Sequence, residues 1–144
     1  MTLPTFVERD PWPPIPFEIH GDAPHEDLEG GGGPGDAIWS DWYVGVSGGQ
    51  SRLYTRKPRV IVDVRFGLGV TSSSGAVTYD LNLDGVTTFT TQANRPTVAA
   101  GGYLSSTAIP DIVAWPADSY LTVDCDAAGT GAKHVVIVVR FTEA

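Results

Sequence analysis

Cysteine is almost missing: Cys125 is the only one among 144 residues. Without a second thiol there is no intramolecular disulfide and no cysteine-rich zinc site. Long apolar runs are also absent; no stretch approaches the roughly 18 residues a membrane helix needs, so no membrane role is expected. The N-terminus has neither the basic stretch nor the apolar run of a signal peptide. The expectation is synthesis in a reducing cytoplasm. Helical periodicity is lacking in every window of adequate length. Positive charge is scarce, with nine Lys and Arg against 17 Asp and Glu, a net charge of −8. Nucleic-acid binding needs a basic footprint and is not expected.

The charge that is present is unevenly placed. Residues 1–50 hold nine acids (Glu8, Asp10, Glu18, Asp22, Glu26, Asp27, Glu29, Asp36 and Asp41) against one base, Arg9. Residues 51–144 balance at eight and eight, so the whole excess lies in the front third. The one basic cluster is Arg52, Arg56, Lys57, Arg59 and Arg65, read either as a solvated face or as a neck that meets an acidic arm.

That front third is also rich in proline: eight of the 11 prolines fall within residues 1–58. In "ERDPWPPIPFEIHGD" (8–22), Pro11, Pro13, Pro14 and Pro16 alternate with Trp12, Ile15 and Phe17. Proline fixes φ and removes a donor, so neither a helix nor a central strand can run through this stretch. A plain linker would be polar, whereas this one carries large apolar side chains. "EGGGGPGD" (29–36) reads as a flexible spacer. A boundary is therefore expected near residue 37, with residues 1–37 an extended Pro/Gly-rich arm that cannot offset its ordering entropy alone.

From residue 38 the pattern becomes all-β. In "RVIVDVRF" (59–66), Val60, Val62, Val64 and Phe66 are expected on one face, with Arg59, Asp63 and Arg65 on the other. In "VTYDLNLDG" (77–85), Val77, Tyr79, Leu81 and Leu83 alternate with polar residues, and Asp84-Gly85 signals a hairpin returning through "VTTFTT" (86–91). "YLTVDCD" (120–126) places Leu121, Val123 and Cys125 inward. "WYVGV" (42–46) and "RLYTR" (52–56) look like a further hairpin. The last strand, "HVVIVVRF" (134–141), is apolar on both faces, so Val136 and Val138 are candidates for a subunit interface. Short strands with Gly, Ser and Thr turns over residues 38–144 make an antiparallel β-sandwich or jelly roll.

Catalytic chemistry is not visible. Asp80-Leu-Asn82-Leu-Asp84-Gly85 matches the first half of a calcium loop, but Thr91 stands where the bidentate glutamate belongs, so no metal is expected. Asp124 and Asp126 share a strand face, where two carboxylates more often serve solubility. His20 and His25 lack a helix to pair them, and His134 has no nucleophile elbow to serve. Cys125 reads as a small buried hydrophobe. No phosphate loop or dinucleotide fingerprint occurs, and no cofactor is expected. The aromatics say more. Tyr103 and Trp115 lie in or beside loops and are candidates for glycan contact, Trp115 having a core-plug alternative.

"TTFTTQANRPTVAAGG" (87–102) followed by "PADSYLTVDCDAAGTGAKHVVIVVRF" (116–141) resembles the β-sandwich module common in virion proteins of tailed phages, especially those of actinobacteria. The shared pattern is a short hairpin, an N-R-P-x-(I/V) stretch, then D-x-L-T-V-D-V-D-x-x-G-T-G-A-K and a closing apolar strand. Asn94 to Val98 and Leu121 to Lys133 fit it. Cys125 stands where the pattern has valine, and His134-Val135 where it often has Gly-Leu. The likeness covers roughly residues 60–141 and leaves out the arm. It implies a non-enzymatic structural or adhesive role in a phage virion, as a minor tail or fibre-like protein or a capsid decoration protein. Such modules often form trimers, which suits a homo-oligomer built on the two-faced final strand.

The arm is expected to dock on other virion proteins through Trp12, Ile15, Phe17 and Ile19, pre-stiffened by proline so that little entropy is lost. A minor tail protein is the leading expectation and capsid decoration the second. A carbohydrate-binding module for host-surface glycan, using Tyr103 and Trp115, is the third. The location expected is the virion, assembled in the host cytoplasm.

Overall fold

A computed structural model describes residues 25–28, 35–42, 44 and 52–144. Ten strands follow in chain order: β1 (His25–Leu28), β2 (Gly35–Trp42), β3 (Leu53–Tyr54), β4 (Arg59–Val70), β5 (Val77–Leu83), β6 (Val86–Thr87), β7 (Thr97–Val98), β8 (Ala114–Trp115), β9 (Tyr120–Ala128) and β10 (Lys133–Glu143). They form two antiparallel sheets, ordered β1-β2-β10-β4-β8 and β3-β9-β5-β6, with β7 also on β5. The fold is the expected all-β sandwich, and among the described residues there is no α-helix.

The core lies between the sheets. Val135, Ile137, Val139 and Phe141 of β10 are buried together with Ile61, Val64, Phe66 and Leu68 of β4. Val77, Tyr79 and Leu81 of β5 and Leu121, Val123 and Cys125 of β9 supply the facing layer. Phe66 and Tyr79 meet across the gap edge-to-face, ring centroids 4.9 Å apart. Such a contact is worth about 0.5–1.5 kcal/mol beyond the area it buries.

The alternation expected in β4 breaks. Arg140 of β10 faces Asp63 but the next residue, Phe141, faces Ile61, so Val62 is an extra residue in the ladder. A bulge of this kind resets the side-chain period. Ile61 therefore joins Val64 and Phe66 in the core, while Val60 and Val62 are only half-buried. Asp63 is buried, and Arg140 donates to both of its carboxylate oxygens, from Nε at 2.9 and 3.2 Å and from Nη2.

Of the expected hairpin of "WYVGV" and "RLYTR", residues 43 and 45–51 lie outside the described residues; Trp42 ends a strand of the first sheet, and Leu53–Tyr54 pairs with Leu121 and Tyr120 in the second. The expected boundary near residue 37 falls inside β2, whose Gly35–Trp42 pairs with β10 on one side and β1 on the other. Ala37 and Trp39 belong to the core, because alternate residues of a paired strand face inward. Residues 29–34 of the expected spacer, like 1–24, lie outside the described residues.

The hairpin at Asp84-Gly85 forms as its sequence implies. Both residues have positive φ, 51° and 85°, as a two-residue turn with right-handed twist requires. At the opposite end Ser72 ties two turns together: its hydroxyl donates to the Ser74 and Gly75 carbonyls and accepts from the Thr130 N–H. Gly129 sits against it at φ 61°, and a Cβ there would lie 2.3 Å from Ser72 Oγ.

Candidate functional site

Each expected site residue has a definite place, or none. Trp12, Ile15, Phe17 and Ile19 lie outside the described residues. Val136 is exposed and Val138 half-buried on the outer face of β10, which runs between β2 and β4. Val138 faces Ile38 on one side and Arg65 on the other, and Val136 faces Gly67.

Tyr103 and Trp115 are not brought together as a glycan platform. Tyr103 is 62% exposed, whereas Trp115 is 0% exposed and packs edge-to-face on Phe141 at 5.5 Å. Stacking on a sugar needs an open ring face, and Trp115 has none. Its expected glycan contact is corrected to a core role, the β4–β8 pairing having drawn it under the sheet. Its indole N–H, like that of Trp39, meets no acceptor among the described residues. Tyr103 instead lies in the segment 103–113, which seals the free edge of β4. There the Leu68, Val64 and Ile61 N–H groups donate to the carbonyls of Tyr103, Ala108 and Val113. This capping leaves Leu104 and Ile109 exposed beside Tyr103.

The outer face of the second sheet carries a polar network that explains the acidic residues of β5 and β9. Asp80 accepts from the Thr87 hydroxyl at 2.8 Å, the Asn82 amide donates to Asp124, and Arg95 pairs with Asp126. The Gln92 amide reaches Thr87 and the Phe89 carbonyl. These contacts pin the 87–97 loop over the sheet. Asp84 is spent in the turn, its carboxylate accepting from the Tyr120 N–H at 3.1 Å, so Asp80, Asn82 and Asp84 do not converge as a calcium loop would. Among the described residues no group of three or more His, Cys, Asp or Glu could hold a metal ion.

Burial pushes the Asp80 carboxyl above the usual carboxylate range, and the Asp126 charge adds to this while the Thr87 hydroxyl opposes it. The folded chain thus holds this proton more tightly than the unfolded chain does. Through Asp80, stability rises as pH falls through the raised folded value, and the gain is complete below the unfolded one. Asp80→Asn keeps an acceptor for Thr87 and removes the charge. The variant should unfold at higher urea than the parent at pH 7, with the gap closing near pH 4. A gap that stays constant with pH would contradict the burial argument.

A cluster that sequence reasoning missed lies at the edge of the second sheet. Tyr54 is 55% exposed and its ring stands 5.3 Å from that of Tyr120 at 49°. The Arg52 guanidinium lies 4.3 Å from the centre of the Tyr120 ring and donates to the Tyr54 hydroxyl at 3.3 Å. Arg52 belongs to the basic cluster of the sequence, and Tyr120 opens the "YLTVDCD" stretch. Their partnership depends on the β3–β9 pairing of residues far apart in the chain.

Comparison with protein-family models, with curated proteins and with solved structures yields no match.

Proposed function

We propose that this chain is a non-enzymatic structural protein of a tailed-phage particle, a minor tail component that docks through its N-terminal arm and displays the β-sandwich. The observation that carries the reading is how the arm joins the domain. β1 pairs with β2, and β2 pairs with β10 from Gly35–Phe141 to Trp42–Val135. Force on the arm is therefore delivered along strands of a five-stranded sheet, where many ladder hydrogen bonds share the load, rather than to a loop. The resemblance of residues 94–98 and 121–133 to virion modules supports the same reading. In this chain those residues build β7, β9 and the turn into β10. The partners are other virion proteins, with further copies of the chain, and the location is the virion.

Immunogold labelling of intact particles with an antibody to the sandwich tests this. Label confined to the tail is expected. Label over the whole head would replace the tail reading with capsid decoration, and no label on any particle would remove the virion reading. The carbohydrate-binding alternative then rests on Tyr103 without Trp115, and a glycan array would decide it.

A further inference from the structure

We propose that the Tyr54–Tyr120 ledge, with Arg52, is the receptor for the proline-rich segment Asp10–Glu18 of a second copy of this chain. The exposed Tyr54 ring, held at an angle to the half-buried Tyr120, offers the kind of shallow apolar surface on which proline-rich segments dock. The segment offers two overlapping P-x-x-P spacings, Pro11 with Pro14 and Pro13 with Pro16. Prolines so spaced favour the polyproline conformation before binding, so docking costs little further order.

Charge fits as well. Asp10 and Glu18 bracket the prolines, with Glu8 just beyond. The ledge carries Arg52 over its Tyr120 ring, and the exposed Arg56 and Lys57 follow Tyr54 in the chain. Among the described residues the Arg52 guanidinium gives one N–H to the Tyr54 hydroxyl and lies over the Tyr120 ring, so further N–H groups of its five remain to meet an incoming carboxylate.

The direction of the chain selects a second copy over the chain's own arm. Tyr120 begins β9, whose other end feeds β10, so the ledge lies at the end of the sandwich where β10 finishes. β1 runs toward that end, since Leu28 faces Gly35 and Gly35 faces Phe141. The chain thus approaches His25 from the opposite direction. The six residues 19–24 span at most about 20 Å, too little to double back with ease.

This inference rests on the arm being a docking element, and it is read on pure full-length protein, apart from any particle. Sedimentation velocity of the full chain should show concentration-dependent self-association. Tyr54→Ala, a change at an exposed ring, should weaken it by at least about tenfold, as truncating an aromatic anchor does. The double change Pro13→Ala and Pro14→Ala should weaken it similarly. Mixing the two variants should restore association, because an intact ledge in one meets an intact arm in the other. Arg52→Glu gives a second ledge variant should Tyr54→Ala perturb the thermal melt. Three results would overturn the proposal: a wild-type chain monomeric at all concentrations, variants that associate as wild type does, or a mixture that recovers nothing. Tail label without self-association would remove the second-copy partner alone. Self-association without label would remove the virion reading alone.

Discussion

Trp115→Ala should cost the sandwich about 3–5 kcal/mol, the range for truncating a large buried aromatic, and so a large share of the 5–15 kcal/mol typical of a domain. The ring is fully buried against Phe141, and the Arg59 guanidinium lies 5.4 Å from its centre and 4.5 Å from that of Phe141. Alanine leaves a cavity under the β4–β8 edge and removes one face of both contacts. Trp115→Phe should stay within about 1 kcal/mol of the parent: the smaller ring loses some packing, but an indole N–H without an acceptor among the described residues is no longer buried. Urea denaturation of the three proteins reads both changes. A Trp115→Ala chain with the parental midpoint would contradict the core assignment. Tyr103→Ala should leave the midpoint in place, so any glycan retention can be tested there without disturbing the fold.

Removal of residues 1–42 should abolish cooperative folding, whereas removal of 1–34 should leave a folded sandwich with a lowered midpoint. The longer deletion takes β2 with it. Ala37 and Trp39 are fully buried, and β2 covers one whole edge of β10. Without that strand, Val135, Ile137 and Val139 lose neighbours and β10 presents a long unpaired edge that invites aggregation. The loss of Trp39 alone is worth about 3–5 kcal/mol, before the ladder is counted. Near-UV circular dichroism and size-exclusion chromatography of the two truncated chains read the outcome. A 43–144 fragment with native-like signals and a cooperative transition would show β2 to be dispensable.

These expectations also mark where sequence reading stopped. A cut near residue 37 looked natural because glycine and proline crowd the stretch before it. Yet "GDAIWSDW" carries Ala37, Ile38 and Trp39, enough apolar surface for a strand once β10 is there to pair with it. The glycines said where the backbone was free to bend, and nothing local said on which side the sheet began. In "RVIVDVRF" strict alternation chose Val60 and Val62, but the extra residue opposite Arg140–Phe141 moved Ile61 inward. A bulge leaves no mark in a run of β-branched residues, since every choice of face looks equally apolar.

The candidate sites divide along the same line. That residues 8–22 combine four prolines with large apolar side chains and acids is read with no structure at all. The tyrosine ledge is not, because Tyr54 and Tyr120 become neighbours only through β3–β9 pairing. Trp115 shows the converse: an aromatic beside a proline reads equally as an exposed stacking ring or as a core plug.

By itself, then, the sequence determined the all-β class, the Asp84-Gly85 hairpin, the inward faces of β5 and β9, and the excess of acids in residues 1–50. Each follows from near-neighbour chemistry: the two-residue period of a strand, the positive φ a tight turn demands, the fixed φ of proline. The tertiary structure alone decided that β2 belongs to the sheet, that Ile61 replaces Val60 and Val62 in the core, that Trp115 is covered, and that Arg52, Tyr54 and Tyr120 form one surface. Those outcomes depend on pairing and register between distant segments, which no local pattern encodes.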